Sequence, residues 1–265
     1  MNYLTDTHCH LYLPDYELDF NKVLNSAIEV DIKKILVPGI DYPSSKKSIE
    51  LSQQYNNLYA AVGIHPNSNN ITEEEISLVV SMINLENVSA IGEIGLDYFR
   101  LHNSADDQIF LFKKMLNLAS QKELPICIHN RDADDDLIKL LEVWYSQLEA
   151  KNSKLIEKPG VFHSFGGSKK ISRWAIDHHF YLGISGVITY QNAIDLQQTI
   201  YDLDLKHILI ETDSPFLTPH PYRGQRNEPK NVELIAHKIA SIKGITFEKV
   251  ARETYKNAND LFGWH

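Results

Sequence analysis

Eight times along the chain, a short apolar run rich in β-branched and aromatic residues gives way to a longer stretch with helical spacing. The runs begin near Leu4, Ile35, Leu58, Val88, Pro125, Val161, Tyr181 and His207. Amphipathic segments follow over 20–30, 45–55, 72–83, 106–119, 134–148, 169–178 and 193–203, and two more over 231–243 and 246–262. Strands that alternate with helices must lie parallel, joined by right-handed crossovers. Eight such units predict an α/β fold, a (β/α)8 TIM barrel with an extra C-terminal helix, in one domain spanning 1–265. The competing solution is an open doubly wound sheet, but no Gly-x-Gly-x-x-Gly follows the first strand.

Local signals agree. Thr72 followed by Glu75 reads as a capping box, and Asp134-Asp135-Asp136 places acid where a helix dipole favours it. His178-His179 reads as a helix C-terminus, and His207 falls at the entry end of a strand. Phe110 and Phe112 read as core residues of an amphipathic helix.

Composition narrows the partners. Lys and Arg total 26 against 35 Asp and Glu, a formal charge of −9, which argues against a protein that coats duplex nucleic acid. No apolar run approaches the roughly 20 residues of a membrane span, and the N-terminus lacks the pattern of a signal peptide. The expectation is a cytoplasmic protein with no membrane association, no evident obligate protein partner, and two reduced thiols, Cys9 and Cys127.

In barrel enzymes the chemistry sits at the C-terminal ends of the strands. Here those ends carry metal-ligand residue types: Asp6-Thr7-His8-Cys9-His10 after the first strand, His65 after the third, Glu93 and Asp97 in the fourth, His129-Asn130-Arg131 after the fifth, His163 after the sixth, and Glu211-Thr212-Asp213 after the eighth. Side chains alternate along a strand, so His8 and His10 share a face and Cys9 points away. Asp6 would share that face at a deeper level, in a supporting role. If the face is inward, His8, His10, Glu93, His129, His163 and Asp213 converge. Four imidazoles and two carboxylates suffice for two divalent ions, with Glu93 able to bridge them; zinc, magnesium and manganese all suit such a mixture. Any one of these residues alone has an ordinary structural explanation. Together they place acid and imidazole from five strands at one rim, and charged groups are seldom buried without partners.

The motifs Asp6-Thr7-His8-Cys9-His10-Leu11, Gly63-Ile64-His65-Pro66, Gly92-Glu93-Ile94-Gly95-Leu96-Asp97-Tyr98, His129-Asn130-Arg131-Asp132-Ala133, His163-Ser164-Phe165-Gly166-Gly167, Glu211-Thr212-Asp213-Ser214-Pro215 and Arg226-Asn227-Glu228-Pro229 occur in order over nearly the whole chain. They resemble those of the TatD family of metal-dependent hydrolases. The resemblance implies a barrel of the amidohydrolase superfamily, a divalent-metal site, deoxyribonuclease activity, and ligand roles for the six residues above. Tyr12 stands where an acidic residue is common, and Asn130 and Ser164 where cysteine is common; these departures bear on substrate preference.

The expected chemistry is attack on phosphorus by a metal-activated water, with Asp213 as general base and Glu93 holding the ions. Arg131, two residues after His129, faces the same side and is placed to bind phosphate, as is His65. The loop after the eighth strand, with Tyr222, Arg223 and Arg226, reads as a contact for a DNA single strand or strand end, hydrolysed exonucleolytically from its 3′ end. Two other readings compete. A hydrolase of a small amide, ester or lactone would need a closed apolar pocket with few basic residues. A non-catalytic metal-bound scaffold would have lost ligands, and none is missing.

Overall fold

The computed structural model describes residues 3–68 and 71–264. Eight parallel strands form one sheet in sequential order: β1 (Leu4–Asp6), β2 (Ile32–Pro38), β3 (Leu58–Val62), β4 (Val88–Asp97), β5 (Ile126–Arg131), β6 (Gly160–Phe162), β7 (Tyr181–Ile184) and β8 (Ile208–Ile210). The first and last strands meet just past their ends. Thr7 N donates to Ile210 O, Asp213 N to His8 O and His10 N to Ser214 O, and these bonds close the barrel. Helices α1 (Phe20–Glu29), α2 (Tyr42–Gln54), α3 (Glu73–Met82), α4 (Ala105–Lys122), α5 (Asp134–Ala150), α6 (Lys169–Asp177), α7 (Ile194–Asp202) and α8 (Val232–Lys243) each follow one strand. A ninth, α9 (Phe247–Phe262), is the extra helix.

Strand alternation splits the core in two. Ile35, Val37, Leu58, Ala60 and Val62 pack against the helices. Their neighbours Leu36 and Ala61, with Ala90, Cys127, Val161 and Leu209, fill the barrel interior. The end of α9 belongs to this inner cluster through Leu261 and Phe262, joined by Trp264. Trp264 stacks on Tyr59 and donates Nε1–H to Ser89 Oγ, so the C-terminal segment plugs the entry end of the barrel. That plug leaves the opposite end for chemistry.

The capping box is formed: Thr72 Oγ1 accepts from Glu75 N, and Glu75 Oε2 accepts from Thr72 N. Asp134 opens α5 without capping its own helix; its carboxylate takes bonds from Asn130 and Ser168. His178 ends α6 with Nδ1 on Trp174 O. One core expectation fails. Phe112 is fully buried, but Phe110 is 54% exposed, its ring beneath the Lys114 ammonium, because the helix turns that position outward.

Candidate metal centre

Two residues above the inner layer, the same strand face carries the site. Cys127 leads to His129 and Val161 to His163, while Leu209 leads to Glu211 and on to Asp213. Glu93 falls out of this simple count because the β4–β5 register shifts between Ile91 and Ile94. Its flanking glycines allow the shift. A Cβ on Gly92 would stand 2.5 Å from Cys127 Cβ, and one on Gly95, whose φ is +146°, would collide with the His129 carbonyl. Asp213, the last on that face, lies in the left-handed region (φ +53°) with Oδ1 3.4 Å from His10 Nε2.

The result is a cluster centred on Glu93, which is 3% exposed. Its Oε2 lies 3.4 Å from His8 Nε2 and 3.8 Å from His10 Nε2. Its Oε1 lies 2.9 Å from His129 Nδ1 and 3.2 Å from His163 Nε2. Asp213 Oδ1 stands 3.4 Å from His10 Nε2 and 3.8 Å from His8 Nε2. The two Glu93 oxygens therefore serve different donor sets: His8, His10 and Asp213 on one side, His129 and His163 on the other. Three overlapping groups have ligand atoms within 4.8 Å of one another: His8, Glu93 and His163; His8, His10 and Asp213; His65, Glu93 and His129.

Partners on the outer ring nitrogens set the tautomers. His163 Nδ1 donates to Glu211 Oε1 at 3.1 Å, His129 Nε2 donates to Asp97 Oδ2 at 3.1 Å, and His10 Nδ1 lies 3.0 Å from Tyr12 Oη. With the outer nitrogen committed as a donor, the inner nitrogens of His129 and His163 donate to Glu93 in the metal-free protein, and loss of that one proton would turn a lone pair to a metal. His8 and His10 present their Nε2 atoms 3.3 Å apart, and buried His8 Nδ1 has no hydrogen-bond partner among the described residues. Such a donor set fits divalent cations.

His65 is of a different kind. Asn67 N donates to its Nδ1 at 3.0 Å, so the neutral ring carries its proton on Nε2, 3.6 Å from Glu93 Oε1. Burial pushes its pKa down to about 3, so it stays neutral. It offers an N–H, where a ligand would offer a lone pair.

The electrostatics call for positive charge. Burial raises the Glu93 carboxyl, but the charge on His163 and the hydrogen bonds from His129 and His163 outweigh it and hold the group well below the ordinary carboxylate range. Burial likewise opposes charge on Asp213, yet His10 and its neighbours hold it down. Burial disfavours charge on His163 and His129, but Glu93 and Glu211 raise the first well above the usual imidazole value, and Asp97 and Glu93 raise the second. Protons gather where a cation belongs.

Supporting residues were only partly legible. Asp6 does not enter the imidazoles' space. Its buried carboxylate accepts from Thr212 N, Thr212 Oγ1 and His8 N, tying the two strand ends that carry His8 and Asp213. Burial lifts it to about 8. Cys9 points away as expected, with Sγ 3.1 Å from Ser214 Oγ. Glu211 and Asp97 stand among the ligand-type residues at the strand ends, but the sequence assigns them no role. Strand alternation could have found Glu211, which precedes Asp213 by two. Asp97 accepts from Phe99 N and Arg100 N on one oxygen and from His129 and Asn67 on the other. Nothing local signals Asn67.

The cluster lies in a cavity of about 1290 Å³ lined also by His65, Arg100, Arg131 and Phe216. Arg131 sits over the Phe99 ring, 3.8 Å from its centroid. The loop after β8 departs from expectation. Arg226 does not line the cavity: it makes a bidentate ion pair with Asp19, a second pair with Glu228, and covers the Tyr16 ring. An arginine so engaged ties the loop to the 3-10 turn before α1 and is not available to phosphate. Arg223 lies over Tyr190 and Tyr222 is exposed, and neither lines the cavity.

A family model described as TatD related DNase matches residues 5–263. A metal-dependent hydrolase of Bacillus subtilis (strain 168), YabD, itself uncharacterized, is 38% identical over 260 residues, 98% of each chain. The 3′-5′ ssDNA/RNA exonuclease TatD of Salmonella typhimurium is 29% identical over 265 residues, covering 97% of this chain and 98% of that one. Among solved structures, YjjV, a TatD homologue from Escherichia coli K12, superposes over 100% of both chains with a TM-score of 0.91 at 27% identity.

Proposed function

The chain belongs to the TatD-related DNase family of metal-dependent hydrolases, and from that premise we propose that it hydrolyses phosphodiester bonds at the end of a DNA single strand, from the 3′ terminus. The observation that carries this reading is the division of the Glu93 carboxylate between two imidazole sets. It suits two divalent ions: one would be held by His8, His10, Glu93 and Asp213, and the other by Glu93, His129 and His163. Such ions, when bound, supply Lewis acidity that lowers the pKa of a water and neutralises charge on phosphate oxygens.

The chain's own residues do the rest. Asp213, a carboxylate at the edge of the cluster, takes the proton of the attacking water. The water oxygen bonds to phosphorus, the bond from phosphorus to the 3′ oxygen of the remaining strand breaks, and that oxygen takes up a proton from solvent. His65 directs its Nε2–H, and Arg131 its guanidinium, at the phosphate. Asp97 and Glu211 hold His129 and His163 in the tautomer that faces inward.

An amide, ester or lactone hydrolase would close a small apolar pocket around its substrate. A cavity of about 1290 Å³ carrying two arginines suits a larger anion instead. Among the described residues no helix is long and apolar enough to cross a membrane, in keeping with a cytoplasmic enzyme. The test is incubation of 5′-labelled single-stranded DNA with protein loaded with zinc, manganese or magnesium. Stepwise shortening from the 3′ end is expected, and an intact strand with all three metals overturns the reading.

A further inference from the structure

The cavity has two unlike walls. The loops after β7, β8 and β1 are neighbours in the closed barrel and present Val187, Phe216, Leu217, Tyr12 and Leu13. The loops after β4 and β5, half the barrel away, present Arg100 and Arg131. Glu93 belongs to β4, on the side of the arginine wall, and Asp213 follows β8, on the side of the apolar one. Phe216 is 53% exposed, and its ring meets His10 edge-on with centroids 6.2 Å apart, so much of its surface is open to the cavity beside a residue of the cluster.

On the opposite wall the three carboxylates that open α5 have partners of their own, while Asp132, next to Arg131, has none among the described residues. Asp134 is bonded by Asn130 and Ser168, Asp135 by Lys170, and Asp136 by Lys139 and Tyr98. Arg100 and Arg131 are in no ion pair among the described residues, and Phe99 backs the Arg131 guanidinium.

A strand end is equally two-sided. The terminal nucleoside brings one base and no phosphate beyond the one being cut. The remainder brings a phosphate at every step. We infer that the site reads this polarity: the apolar wall centred on Phe216 is a subsite for the base of the nucleotide that is released, while Arg100, on the wall where Arg131 meets the phosphate being cut, holds a phosphate of the strand that stays. The inference rests on the phosphodiesterase reading and adds a direction to it.

Base stacking on an aromatic side chain is sequence-tolerant and contributes enough to be measured. The experiment compares a 5′-labelled single strand with a normal 3′ end and the same strand ending in an abasic deoxyribose, using manganese-loaded wild type, Phe216→Ala, Phe216→Trp and Arg100→Ala. Wild type is expected to process the base-bearing end about tenfold faster in kcat/KM. Phe216→Ala is expected to bring the ratio of the two rates from about tenfold to about one. Phe216→Trp restores the difference, and Arg100→Ala slows both ends alike. Equal wild-type rates on the two ends, with shortening intact, overturn the base subsite and leave the phosphodiesterase reading standing. An equal loss on both ends in Phe216→Ala overturns it too. No shortening of either strand by wild type removes both.

Discussion

Replacing Glu211 by Gln probes whether the second layer of the cluster sets its affinity for metal. Glu211 is fully buried and accepts from His163 Nδ1, Ser164 N and Thr7 Oγ1. An amide of the same shape keeps its oxygen on His163 Nδ1 and Ser164 N and turns its NH2 to Thr7 Oγ1, whose own proton goes to Ile210 O; what is lost is the negative charge that orients His163 and makes its Nε2 a stronger metal ligand. Loss of such an outer partner typically weakens metal binding by about 10- to 100-fold, or about 1.4–2.7 kcal/mol. Titration of the metal-free protein with zinc or manganese, read by calorimetry or chelator competition, gives the two dissociation constants directly. The weaker binding is expected in the step assigned to His129, His163 and Glu93, with turnover regained at saturating metal. Melting of the metal-free variant separates this effect from a general loss of packing. Dissociation constants within twofold of wild type would refute the role given to Glu211.

Asp213→Asn is expected to lower turnover by about 10²–10⁴-fold, the usual contribution of a general base, with an unchanged circular dichroism spectrum; full turnover would reject its assignment. Arg226→Ala should lower the melting temperature while leaving the KM for short single strands near wild type, because the ion pairs with Asp19 and Glu228 fix a loop and do not face the cavity. A raised KM with unchanged melting would restore it to the substrate. Trp264→Ala should cost about 3–5 kcal/mol in denaturant unfolding, since it empties a buried ring site and leaves Ser89 without its donor, while activity per folded molecule holds. Metal affinity should fall on acidification. His163 and His129 hold protons to higher pH than ordinary imidazoles in the metal-free protein, so each such proton displaced makes binding about tenfold tighter per unit rise in pH below the raised value. Affinity independent of pH from 5 to 8 would contradict those shifts.

Much of this architecture is written in periodicities. Alternation of strand and helix gave eight parallel strands, and alternation of side chains gave His8 with His10, and the inward aim of His129 and His163. The misses arise where a residue's surroundings come from elsewhere in the chain. Arg226 has the composition of a phosphate contact, yet Asp19, 207 residues earlier in sequence, claims it. Phe110 and Phe112 are two apart on a helix, which puts them on different faces, so one was bound to point outward. Glu93 reaches the centre through a register shift that spacing alone does not reveal, with Gly92 and Gly95 as its only local trace. Asp97 and Asn67 act through contacts between separate strand ends, and no window of sequence contains both partners. Phe216 follows Ser214-Pro215 as an unremarkable apolar residue; only the cavity shows what it faces.

The most direct measurement is anomalous diffraction from crystals of the manganese-loaded protein. Two peaks about 3.5–4 Å apart are predicted, both within bonding reach of Glu93, one flanked by His8, His10 and Asp213 and the other by His129 and His163. Peaks that touch neither Glu93 nor Asp213, or bound manganese found only at the protein surface, would contradict it.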